Sequence, residues 1–219
     1  MKQVDMMMTK IRLIPNVCAA MFMVLVLSAC GPLVEFPGAD EGADRVFDLR
    51  YKAMSSSSEK SDVRSLFLAE PIIAAGLKGS DIAVRPNDYE LLYLPGARWS
   101  DRLSRMINRF YHRGLSDQLS LTVLSGQDVD LSQNFRLRLS FDDFAIRTND
   151  RNDFDQVVVS VTATLIDNTS NAIKGQRRLS ETVSLNSQTH DAAVQSFVKA
   201  NHSILKDMAI WANGLLMGQ

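Results

Sequence analysis

Phe135-Arg136-Leu137-Arg138-Leu139-Ser140-Phe141-Asp142-Asp143-Phe144-Ala145-Ile146 is the stretch on which the fold turns. Up to Phe141 its apolar residues alternate with Arg136, Arg138 and Ser140, the period of a strand with one face in a core and one in water. The parity then breaks. Asp142-Asp143 moves the apolar set onto Phe144 and Ile146, which marks a β-bulge in a long, strongly curved strand. Past a polar turn, Val157, Val159, Val161, Ala163 and Leu165 take up the alternation again. Leu179, Val183 and Leu185 follow a second turn at Asp167–Asn171, so the three runs predict an antiparallel meander.

Working outward, the period changes from two to 3.6 on both sides. Leu103, Met106, Ile107, Phe110 and Tyr111 recur at helical spacing, with Ser100 placed to cap the N-terminus and Gly114 placed to stop the helix. A second helix is expected from about Thr189 to Leu216, where Val194, Phe197, Val198, Ile204, Leu205, Met208, Trp211 and Leu215 line one broad face. Asp81–Arg85, Glu90–Leu94 and Leu119–Leu124 read as further strands. The expected fold is therefore α+β: a single domain with a mostly antiparallel sheet and two amphipathic helices packed on one face.

The chain begins differently. Lys2, Lys10 and Arg12 precede an apolar stretch from Val17 to Ala29, the layout of a secretory signal. Pro15 and Asn16 separate that stretch from Leu13 and Ile14, leaving it short of the roughly 20 apolar residues that a membrane span needs. It ends in Leu27-Ser28-Ala29-Cys30, which resembles the lipobox of bacterial lipoproteins, cut before the cysteine. The resemblance implies three lipid chains on Cys30. Gly31, in place of an aspartate, favours export to the periplasmic face of the outer membrane, with the inner membrane as the alternative. Residues 1–29 are thus read as the signal peptide, 30–45 as the lipidated N-terminus and a Pro-, Gly- and acid-rich tether, and 46–219 as the domain. The serine run Ser55–Ser58 reads as a flexible insert.

Composition closes off several function classes. Loss of Lys2, Lys10, Arg12 and Asp5 with the signal moves the formal charge from −1 to −3, which excludes a global nucleic-acid footprint. Cys18 and Cys30 are the only cysteines, so the mature body has neither a disulfide nor a thiol nucleophile. His112, His190 and His202 lack metal-ligand spacing and read as surface histidines. The acidic loop Asn149–Asp155 lacks the glycine and terminal glutamate of an EF-hand and reads as a solvated hairpin turn. No nucleophile elbow, phosphate loop or dinucleotide turn occurs. No catalytic residue, metal site or cofactor is expected.

From Arg45 onward the chain resembles the ABC-type transport auxiliary lipoproteins. The resemblance is carried, beyond the lipobox, by Val46-Phe47-Asp48-Leu49, Leu66-Phe67-Leu68 running into Glu70-Pro71, and Ile82-Ala83-Val84-Arg85-Pro86. Tyr89-Glu90-Leu91-Leu92-Tyr93 and Ala97-Arg98-Trp99-Ser100-Asp101 complete it. It implies a non-catalytic subunit of an MCE-type system moving phospholipid between the two membranes, beside an ABC permease, its ATPase and an MCE-domain protein. A general envelope assembly or structural lipoprotein without lipid cargo remains the alternative, and neighbouring permease, ATPase and MCE genes would decide between the two.

Arg98, Arg102, Arg105, Arg109 and Arg113 recur every three or four residues and would fall within an arc of about 80° on one helix. Asp101 is the counter-charge nearest to them. A solvated face explains them, and so does a face held for an acidic partner segment or for lipid phosphates, which forked guanidinium donors suit. Trp99 joins them as a candidate contact, with packing back onto the helix as the plainer reading. Tyr89 and Tyr93 are expected on one strand face, half-buried.

Overall fold

The computed structural model describes residues 44–53, 63–128 and 131–217; the signal, the lipobox Leu27–Cys30, nearly all of the tether and the serine run lie outside the described residues. Strand β7 (Phe135–Thr148) is the spine, and one of its edges pairs along the whole length, antiparallel, with β8 (Phe154–Asp167). β8 pairs in turn with β9 (Ala172–Ser184), completing the expected meander. The expected bulge is present. Phe141 faces Val161 and Asp143 faces Ser160, so Asp142 is the extra residue, and both Phe141 and Phe144 are delivered to the core face. The same slip sets Asp143 on the opposite face, where Arg147 Nη2 reaches its Oδ2 at 2.9 Å and Arg85 Nε lies 3.4 Å from its Oδ1.

The other edge of β7 overturns the mostly antiparallel expectation. β2 (Ser65–Leu68), β3 (Ile72–Ile73) and β4 (Asp81–Arg85) lie on it in succession, all parallel, at Phe135–Leu137, Ser140–Phe141 and Ala145–Arg147. Residues 65–85 thus run beside β7 as one interrupted strand. Pro71, which has no N–H to donate, falls in the first break, and a 3-10 turn at Ala75–Leu77 loops out in the second. β1 (Arg45–Phe47) is parallel to β5 (Leu92–Trp99), and β2 is parallel to β6 (Thr122–Leu124). Among the described residues only β4–β5, β7–β8 and β8–β9 are antiparallel. The sheet of nine strands is mixed, and the fold is α+β.

β5 is longer than the run Glu90–Leu94 suggested, because it continues through Pro95 and Gly96. Gly96 takes φ +68°, the left-handed conformation that a residue without Cβ adopts at no steric cost, and the register with β4 shifts there. Tyr89 lies before the strand and is exposed, while Tyr93 is half-exposed on it and donates its hydroxyl to the Gly76 carbonyl at 3.0 Å.

Helices α1 (Leu103–Gln118) and α2 (His190–Met217) bring their apolar faces to the same side of the sheet: Tyr111 of α1 meets Phe141, and Phe197 of α2 stacks on Phe144 at 4.6 Å. Two local expectations for α1 need correction. Ser100 does not cap it: Arg102 occupies that position with no side-chain cap, and the Ser100 hydroxyl donates instead to Asp48 Oδ1 at 3.1 Å. Gly114 does not stop it either. The helix runs on to Gln118, and Gly114 is buried where Leu205 of α2 crosses, so a Cβ there would overlap a Leu205 methyl. The glycine serves close helix approach, not termination. His202 also differs from a surface histidine. It packs between Tyr51 and Phe110, and burial lowers its pKa.

The two helices share one buried polar contact. Tyr111 donates its hydroxyl to Asn201 Oδ1 at 3.1 Å, and Asn201 Nδ2 donates to the Phe197 carbonyl at 2.8 Å. Both residues are fully buried, and burial pushes the Tyr111 phenol far above its usual range. Tyr111→Phe strands the Asn201 oxygen in the core, with an expected loss of about 1–2 kcal/mol in urea unfolding. Asn201→Leu added to it should recover most of that loss; a double variant less stable than Tyr111→Phe would show that the pair is not the cause.

Candidate functional site

The N-terminus of α1 is fixed by backbone before any side chain acts. Ser100 N–H donates to the Phe47 carbonyl at 2.7 Å, Trp99 N–H to Ser80 at 2.7 Å and Leu103 N–H to Gly79 at 3.0 Å, so the end of β1, the end of β5 and the start of α1 form one junction. Asp48 and Asp101 sit at it. Arg109 Nη1 reaches Asp101 Oδ2 at 2.8 Å and its Nη2 lies 3.8 Å from Asp48 Oδ1, while Arg50 Nε donates to Asp48 Oδ2 at 2.8 Å.

These contacts set the charge state. The hydrogen bond from Arg109 holds Asp101 below the usual carboxylate range, helped by the Arg102 N–H. Partial burial pushes Asp48 the other way, but hydrogen bonds from Arg50 and Ser100, with the charges of Arg50 and Arg109, outweigh it and leave its pKa lowered. Both aspartates are anions at neutral pH, and both are occupied in orienting arginines.

Arg102, Arg105, Arg109 and Arg113 stay on one exposed side of α1, within the expected arc of about 80°. Arg98 does not join them on the helix. It belongs to β5, half-exposed beside the head of α1, with Asp44 3.9 Å away. The counter-charge expectation also changes, because Asp44 and Asp48 from the start of the domain add to Asp101. The longer helix brings in Asp117, four residues past Arg113, and Asp117 interacts with the Tyr51 hydroxyl. Arg105 keeps one long contact, 3.8 Å to Asp101, at 65% side-chain exposure. Among the described residues, Arg102 and Arg113 have no ion pair.

Open clefts flank this face. One, of about 300 Å³, lies between residues 48–51 and α1, lined by Asp48, Arg50, Tyr51, Arg109, Phe110 and Arg113. The other, of about 420 Å³, is lined by Glu70, Arg105, Asn108, Arg109, Ser125 and Gly126. Guanidinium groups at the rims of shallow clefts suit the binding of phosphate or carboxylate. Among the described residues no three His, Cys, Asp or Glu side chains are grouped as metal ligands would be.

Trp99 leaves the set of candidate contacts. At 1% exposure it packs edge-on against Phe144 and Phe197, in the core between β7 and α2 and out of reach of a partner. Arg50 is the contributor that sequence spacing missed. It precedes α1 by the whole of β2 to β5, and no local pattern joins it to Arg109. Cys30 and Leu27–Ala29 lie outside the described residues.

The sequence model of the ABC-type transport auxiliary lipoprotein component matches residues 47–209. No curated protein matches the chain. Among solved structures, protein XCC0632 from Xanthomonas campestris, assigned to the DUF330 family, superposes with a TM-score of 0.66 at 16% identity over 76% of this chain and 94% of that one. An uncharacterized protein superposes with a TM-score of 0.63 at 14% identity, over 78% of this chain and 99% of its own. At such identities the likeness is one of fold.

Proposed function

The chain belongs to the ABC-type transport auxiliary lipoprotein family, and from that premise we propose that it is a non-catalytic lipoprotein subunit of an MCE-type system carrying phospholipid between the inner and outer membranes. Membership makes it a lipoprotein of the Gram-negative envelope associated with an ABC transport system. The finer reading divides the chain into a signal at 1–29, a lipidated N-terminus and tether at 30–45, and a domain at 46–219. Cys30 carries the anchor and Leu27, Ser28 and Ala29 form the cleavage motif. The anchor sits in the periplasmic face of the outer membrane. The partners are an MCE-domain protein and its ABC permease and ATPase.

One observation carries the reading at the level of the domain. The exposed groups that converge on the α1 junction are guanidinium donors rimming open clefts. Such a face suits the docking of an anionic surface. Arg98, Arg102, Arg105, Arg109 and Arg113, with Arg50, are its docking residues.

The test is co-purification from detergent-solubilised envelopes with the chain tagged at its C-terminus. An MCE-domain protein and an ABC permease should appear in stoichiometric amounts, with phospholipid in the eluate. Recovery of an outer-membrane assembly complex instead, with no MCE protein, would replace this reading by that of a structural lipoprotein.

A further inference from the structure

We propose that the arginine face of α1 docks the domain flat on the anionic phospholipid headgroups of the membrane in which the chain is anchored. The inference rests on the lipid anchor of the proposed function and names what the docking face meets.

The first support is where the chain enters the domain. Asp44, the first described residue, lies 3.9 Å from Arg98 of β5, whose strand ends at the junction with α1. Only the short segment 31–43 separates it from Cys30. Even fully extended, a chain of that length spans at most about 50 Å, so the domain is held close to the membrane surface and its exposed faces compete for contact with the headgroups.

Charge distribution is the second support. The mature chain is formally −3, and an anionic surface repels it as a whole. The guanidinium heads of Arg102, Arg105 and Arg113 are the groups at this junction that no carboxylate holds closely. They are spread along three turns of α1, and Arg50 extends the array onto the segment beside it. An array spread along three turns of helix and the neighbouring segment matches a plane of phosphates better than a single ligand. Asp48 and Asp101 are committed to Arg50 and Arg109, which makes them supports of the array more than competitors with lipid. Each arginine brought to an anionic surface contributes a factor of roughly five in occupancy, and the attraction fades within a Debye length, so it is salt-dependent.

Arginine footprinting reads this directly. The lipidated mature chain is placed in nanodiscs of phosphatidylethanolamine, with or without phosphatidylglycerol at about one lipid in three, and treated with phenylglyoxal. Peptide mass spectrometry then reports each arginine. Phosphatidylglycerol should lower the reactivity of Arg102, Arg105 and Arg113 by at least about threefold, an effect of the size that one such contact supplies. High salt should restore it, and exposed Arg151 and Arg177 should not change. Arg105→Gln with Arg113→Gln should return Arg102 to its reactivity without phosphatidylglycerol. Equal reactivity in both nanodiscs overturns the proposal. So does protection in both, which would put the chain's own Glu35, Asp40 and Glu41 on the face. A cysteine peptide without lipid in the same spectra would instead refute the anchor, and loss of the MCE partner in co-purification would refute the transport reading, so the three failures are distinguishable.

Discussion

Cys30→Ala should move the protein from the membrane to the soluble fraction or leave it as an unprocessed precursor. Three lipid chains at about 0.8 kcal/mol per buried methylene make an effectively permanent anchor, whereas a single chain binds only marginally. The apolar stretch of the signal is a poor substitute. Val17–Ala29 is shorter than a span, and among the described residues no helix is long and apolar enough to cross a membrane. Labelled palmitate should mark the wild type and not the variant, and carbonate extraction should release whatever part of the variant reaches the periplasm. A processed Cys30→Ala protein that still resists carbonate extraction from membranes would sink the lipid-anchor reading.

The parts of the fold that a short window could reveal were those with a strong period. The meander from Phe135 to Ser184 and the helix from His190 follow directly from alternation and helical spacing, and even the bulge at Asp142 was visible as a break in parity. Strand direction was not. Leu66 pairs with Phe135, Ile72 with Ser140 and Ala83 with Ala145, all distant in the chain, and the local pattern of an apolar run is the same whichever way its neighbour points. Val46-Phe47-Asp48-Leu49 likewise gave no hint that its first residues would pair with β5, on the far side of β2, β3 and β4 in the chain.

The candidate site divides in the same way. The arginines of α1 recur at helical spacing, so their shared face was legible as soon as the helix was. Arg98 looked like a fifth member because helical spacing extends backward past the true start at Leu103; the backbone bonds to Gly79, Ser80 and Phe47 stop the helix there, and they come from elsewhere in the chain. Trp99 stayed open between packing, the plainer reading, and contact for a related reason. A tryptophan next to charged residues reads equally well as a rim or as a core residue, and only the arrival of Phe144 and Phe197 decides between them. Asp48, which anchors Arg50 and lies beside Arg109, belongs to the site through the fold alone.

Gly114→Val should be the most destabilising of the point substitutions in the domain considered above, and the reason is again a contact that sequence cannot show. A glycine within a helix ordinarily costs about 1 kcal/mol relative to alanine, so filling it would stabilise an exposed helix. Here a Cβ would overlap one Leu205 methyl and lie 3.1 Å from the other, and Leu205 is fully buried, in an interior that is close-packed as protein cores are. The two helices must separate or the leucine must leave its rotamer, and overpacking of that kind outweighs the gain in helix propensity. The expected net loss is about 2–3 kcal/mol, or a fall of roughly 5–10 °C in melting temperature for a domain of this size. Leu205→Ala alone should also destabilise, by about 2–4 kcal/mol, through the cavity it leaves. Combined with Gly114→Val it should cost clearly less than the sum, because the valine occupies the space the leucine vacates, and the coupling should be at least about 1 kcal/mol in favour of the pair. Additive losses in that double-mutant cycle would mean that Gly114 and Leu205 do not meet, and that the crossing of α1 over α2 is set elsewhere.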